Sequence, residues 1–124
     1  MSGRNVVLAL LVFAAAGCAR PTAPESPVGM WTLVNVNGAA LPAQIVRHID
    51  IVSGSLELKA DGSYEESTQT RFPDAVVQTT VRGAWRMAGK NVEFMDRIAG
   101  LPFLGRWDGS SLEVQGERAM RYAR

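Results

Sequence analysis

From Gly29 onward, short turn signals interrupt the chain about every ten residues, a spacing that belongs to strands rather than helices. They are Asn37-Gly38, Asp61-Gly62, Pro73-Asp74, Gly89-Lys90 and Asp108-Gly109. Asn-Gly and Asp-Gly reverse a chain tightly because both residues tolerate a positive φ, while proline presets the first dihedral of a turn. The segments between them alternate. In SGSLELKA, Leu56 and Leu58 fall on one face, with Glu57 and Lys59 on the other. Such segments need a sheet with one buried side, and closing that sheet removes its unpaired edges. The reading is an all-β chain, an up-and-down antiparallel β-barrel of about eight strands. At 124 residues there is room for one domain. The stretch AQIVRHIDIV is expected to hold a strand, although Ile45 and Ile49 stand four apart and also allow two helical turns.

Alternation says which side chains point inward. Leu33, Leu56, Leu58, Tyr64, Phe72, Val77, Val81, Trp85, Val92, Phe94, Ile98, Leu112, Val114, Met120 and Tyr122 form the expected interior. Each contributes about 1.5–3 kcal/mol if it is a large apolar side chain fully removed from water. The same phase carries polar residues. Glu66, Thr68 and Thr70 lie between Tyr64 and Phe72, Thr79 between Val77 and Val81, and Asp96 between Phe94 and Ile98. A buried, unpaired carboxylate is costly, so Glu66 and Asp96 should be paired, protonated or close to a wet opening. Two other readings stay open: a bulge shifts the phase, or Arg82, Arg86 or Arg106 pairs with these acids at the rim.

Catalytic constellations are missing. One histidine and one cysteine cannot build a His-rich metal site. His48 and Asp50 would share a strand face, but no Gly-x-Ser-x-Gly elbow supplies a nucleophile. There is no P-loop and no Gly-x-Gly-x-x-Gly. The expectation is therefore no enzyme, no cofactor and no metal. Apolar walls with a few polar groups suit a ligand pocket instead. It would be lined by Tyr64, Phe72, Trp85, Phe94 and Tyr122, with Glu66 and Thr79 at a polar mouth.

The first 17 residues have a different character. Arg4 precedes the apolar run VVLALLVFAAA, which ends at the small residue Gly17. That order is the n-region, h-region and cleavage site of an export signal. The run is too short to cross a bilayer, which takes about 20 apolar residues. An uncleaved anchor is the alternative. Removing residues 1–17 takes away only Arg4, which leaves twelve basic and twelve acidic side chains. A neutral domain has no broad field for nucleic acid.

Ala16-Gly17-Cys18, with Leu11 and Val12 upstream, resembles the lipobox of bacterial lipoproteins. Ala15 stands where that family usually has leucine. The resemblance implies a diacylglyceryl thioether on Cys18, a lipid bilayer as partner and a place in the bacterial cell envelope. Ala19 in the next position resembles lipoproteins passed to an outer membrane, on its periplasmic face, if the cell has two membranes. The other reading of Cys18 is a plain thiol. Residues 18–28, with Pro21, Pro24 and Pro27, then form an extended tether, at about 3.1 Å per residue.

Residues 29–124 resemble the lipocalin-like domain of small bacterial envelope proteins. The likeness rests on GMWTLVNVNGAALP, SGSLELKADGSYEES, GAWRMAGKNVEF and the terminal MRYAR. Gly29-Met30-Trp31 matches the Gly-x-Trp that opens the first barrel strand of lipocalins. The resemblance implies an indole across the closed end of the barrel with an arginine of the last strand, Arg121 or Arg124, over its ring. The Thr-Asp-x-x-Tyr motif and the helix before the final strand are absent, and the domain is shorter than a full lipocalin. The implied function is a membrane-anchored, non-catalytic binding module for a small apolar or amphipathic ligand. The alternative is an envelope interaction protein with a filled barrel. It would touch another protein through the loop residues Leu41, Pro42, Leu101 and Pro102.

Overall fold

The computed structural model describes residues 26–96 and 102–124, with Asp96 and Pro102 described by their backbone alone. Cys18, Ile98 and Leu101 lie outside the described residues. Ten strands follow one another: β1 (Gly29–Val36), β2 (Ala39–Ala40), β3 (Ala43–Val46), β4 (Ile49–Leu58), β5 (Ser63–Phe72), β6 (Ala75–Ala88), β7 (Asn91–Asp96), β8 (Pro102–Trp107), β9 (Ser111–Gln115) and β10 (Ala119–Ala123). No helix occurs among the described residues.

Turn chemistry sets these boundaries. Asn37 and Gly38 both take a positive φ, 50° and 84°, and join Val36 to its partner Ala39 through a two-residue turn. In the loop after β4, the Asp61 carboxylate accepts from the Ser63 amide at 2.9 Å. The Asp108 carboxylate does the same for Ser111 at 2.8 Å. Both aspartates titrate below the usual carboxylate range, held there by these serine hydrogen bonds.

Every pairing is antiparallel. β1 pairs with β10 on one side and with β4 on the other, so β1 and β4 through β10 close into an eight-strand barrel. Strands adjacent around the ring are adjacent in the chain, apart from the insertion of β2 and β3 between the first two staves. The turn spacing predicts about eight strands; the two additional ones lie in that connection. AQIV is the strand β3, not a helix. His48 sits exposed in the turn after it at φ 66°, off the strand face that Asp50 occupies.

Two bulges alter the phase. The register shifts between Leu33 and Asn35 in β1, and between Ile51 and Ser53 in β4. A bulge puts the side chains on its two sides out of phase with one another. Val36 and Ile51 therefore join the buried core although simple alternation points them outward.

Phe72 and Val77 depart from expectation in a different way. They are inward in phase but 37% and 45% exposed. The β5–β6 hairpin continues in register to Phe72 opposite Ala75, while among the described residues β7 joins β6 from Gly83 downward. The hairpin tip thus rises above the closed part of the barrel. Alternation fixes the side a residue faces, not the height at which the neighbouring staves end.

The core gathers toward one end, the base. Trp31, Leu58, Val92, Leu112 and Tyr122 are completely or almost completely buried there. Tyr64 and Phe94 meet edge to face, with centroids 5.3 Å apart. Glycines admit these large side chains. A Cβ on Gly83 would lie 2.1 Å from the Met95 carbonyl oxygen and 2.8 Å from the Tyr64 ring. One on Gly105 would lie 2.9 Å from the Phe94 ring.

The base is tied from outside by the segment that precedes β1. Trp31 Nε1 donates to the Pro27 carbonyl at 2.8 Å. The Arg124 guanidinium lies 4.4 Å from the centre of the Trp31 ring. It also donates to the Val28 and Ser26 carbonyls at 3.0 and 2.7 Å. Gly29 adopts φ 134° beside this guanidinium. Arg121 does not share the position. It is exposed and opposite Glu113, because it is out of phase with the buried Tyr122 beside it.

Candidate functional site

Around the closed ring, β5 stands opposite β9 and β10. A hydrogen bond spans that gap. The Tyr122 hydroxyl of β10 donates to the Glu66 carboxylate of β5 and forms a crossbar inside the lumen. Tyr122 is completely buried. Burial pushes its phenol far above the ordinary tyrosine value, and the Glu66 charge adds to the rise. The phenol therefore stays protonated and keeps donating. Met120 Sδ lies 3.7 Å from the same oxygen.

The crossbar lies near the junction of two spaces. One is a small void of about 80 Å³ lined by Leu56, Tyr64, Val81, Phe94, Phe103 and Val114 together with Glu66. The other, toward the hairpin tip, is a cavity of about 460 Å³ open to solvent. Its lining is unevenly distributed. Thr68, Thr70 and Thr79 come from β5 and β6, and Thr68 is paired directly with Thr79. Ile51 and Ile45 flank them, while Phe103, Val114 and Met120 come from β8, β9 and β10. Glu117 and Arg118 stand at the rim in the β9–β10 turn, 3.7 Å apart. No hydroxyl of the three threonines makes a hydrogen bond among the described residues.

The expected pocket residues fall into separate groups. Tyr64, Glu66 and Phe94 line the small void, Glu66 and Thr79 line the large cavity, and Tyr122 holds Glu66. Phe72 and Trp85 line neither. Phe72 is at the exposed hairpin tip. Trp85 lies toward the base, where its Nε1 donates to the Lys59 carbonyl at 2.9 Å. Both share the inward phase of β5 or β6, but a strand running the full height of a barrel passes the cavity only in its middle.

The surface arginines pair with outward acids instead of Glu66. Arg82 meets Glu65 and Arg86 meets Glu93, each at 2.7 Å. The side chain of Asp96 lies outside the described residues.

Several lining residues were missing from the expected pocket. Thr68, Thr70, Val114 and Met120 had the inward phase in the sequence. Phe103 alternates with Gly105 and Trp107, a signal present but short. Arg118 comes from a turn, where no periodicity exists to find it.

No protein-family model matches the chain, and no curated protein or solved structure does either.

Proposed function

We propose that this chain is a lipid-anchored, lipocalin-like binding module of the bacterial cell envelope. It holds a small apolar or amphipathic molecule in its lumen without covalent chemistry, and acylated Cys18 ties it to a bilayer. The observation that carries this reading is the cavity of about 460 Å³ at the open end. Ligand sites usually measure about 300–1,000 Å³. A second support is the Arg124 guanidinium over Trp31, the arrangement that the lipocalin resemblance implies.

Geometry makes binding the favoured use of this space. The base is packed and the cavity opens to solvent at the other end, so entry is from the mouth, between the β5–β6 hairpin and the β9–β10 turn. Apolar atoms entering the lumen leave water at about 25 cal/mol per Å² of surface buried. The crossbar limits how deep a wide molecule can travel. The other reading, a filled barrel acting through its loops, fits less well because the described residues leave a cavity in the mouth half of the lumen. Leu41 is half-buried against the core, which leaves Pro42 exposed beside it.

Native mass spectrometry of the full-length protein, taken from cells without harsh extraction, tests the proposal. We expect a retained species of a few hundred daltons that is released on unfolding. A clean apo mass, with no uptake from envelope lipid extracts, would overturn it.

A further inference from the structure

We infer that the occupant of the lumen is a facial amphiphile, a rigid ring system with hydroxyls along one face and hydrocarbon on the other. This rests on the reading of the lumen as a binding site and narrows its ligand class. The cavity is divided lengthwise. Thr68, Thr70 and Thr79 put three hydroxyls on the β5–β6 wall, directly above Glu66. Val81 adds one apolar side chain to that wall. The wall across the ring, built by Val114 of β9 and Met120 of β10 and continued by Phe103 of β8, offers hydrocarbon, ring and thioether below the charged rim of Glu117 and Arg118.

The two walls make opposite demands. A wholly apolar occupant, such as a straight alkyl chain, would strip water from three hydroxyls and give them no partner, which is costly. A wholly polar occupant would leave the far wall wet and forgo its burial. A molecule with both faces satisfies both walls at once. Rigidity matters because β5 is held between β4 and β6, so the hydroxyls of that wall keep their spacing. Flexible chains have no fixed sides to match them. Arg118 at the rim adds a cation where an anionic tail would emerge.

The test compares cholate, which carries hydroxyls on one face, with laurate, which has the same charge on a straight chain. The full chain, held in an amphipathic polymer, is titrated with each while threonine methyl resonances are followed. We expect cholate to shift Thr68 and Thr79 and to bind about tenfold more tightly than laurate, the equivalent of roughly two net hydrogen bonds. The double variant Thr68→Val with Thr79→Val should remove that preference from both sides, weakening cholate and tightening laurate because fewer hydroxyls are stripped of water.

If laurate binds as well as cholate, or if the variant weakens both equally, the facial assignment falls while the lumen remains a binding site. If neither of them nor the apolar probe N-phenylnaphthylamine enters, the binding reading fails and takes the facial assignment with it.

Discussion

The two halves of the barrel are built by the same strands and differ in what those strands carry inward. At the base, Trp31, Leu58, Tyr64, Phe94 and Leu112 fill the lumen, and Gly83 and Gly105 withdraw their own bulk to let them in. At the mouth, the next inward positions on β5 and β6 are Glu66, Thr68 and Thr70, and Val81 and Thr79, and a space remains. Interiors reach crystal-like density only when summed side-chain volumes fit the room between elements. Stability is thus concentrated at one end, and the other keeps an open cavity.

The largest effect should come from breaking the base. Replacing Trp31 by alanine removes a completely buried indole, the Pro27 hydrogen bond and the surface under Arg124. We expect a loss of about 3–5 kcal/mol in denaturant unfolding. A loss below about 1 kcal/mol would mean that the base is not the anchor of the fold.

The crossbar between the halves should respond to alkali. Tyr122 has a raised folded value, so its stabilising contribution is complete below the unfolded tyrosine value near 10 and is lost as pH climbs past it. Unfolding free energy should fall by about 1.4 kcal/mol per pH unit there, in addition to any other titrations. Phenolate absorbance from Tyr122 should appear only with unfolding. The Tyr122→Phe variant should lack this slope; retention of it would place the titration elsewhere.

Smallest of all should be the effect at the mouth. Thr79→Val exchanges a hydroxyl without a partner among the described residues for a methyl, and we expect its stability to stay within about 0.5 kcal/mol of the parent. A large loss would show that the threonine wall is structural, which would erase the contrast.

Much of this division is legible in the sequence, for identifiable reasons. Turn dipeptides depend on local dihedral preference, so Asn37-Gly38 and Pro73-Asp74 mark hairpins by themselves. Alternation likewise places Leu56, Leu58, Phe94 and Tyr122 inside and puts Glu66 and the threonines on the same face. Height and phase are not legible in that way. Phe72 and Val77 have the right parity above the level at which the described part of β7 pairs with β6, and Trp85 has it below the cavity, beside Phe94 at the base. Val36 and Ile51 are hidden by bulges, which are settled by pairing across strands and not by the strand's own residues. The Glu66–Tyr122 contact joins residues 56 apart, and only closure of the ring brings them together.

The guanidinium of Arg124 bonds the backbone at Ser26, 98 residues away, so both of those points belong to one pole of the molecule. The entry to β1 and the exit from β10 therefore lie side by side, and points so placed tolerate attachment and permutation. A fluorophore, a bead or a second protein joined beyond either point would leave the opposite pole unobstructed. The barrel could then be immobilised as a sensor with its opening turned outward, whichever end carried the attachment.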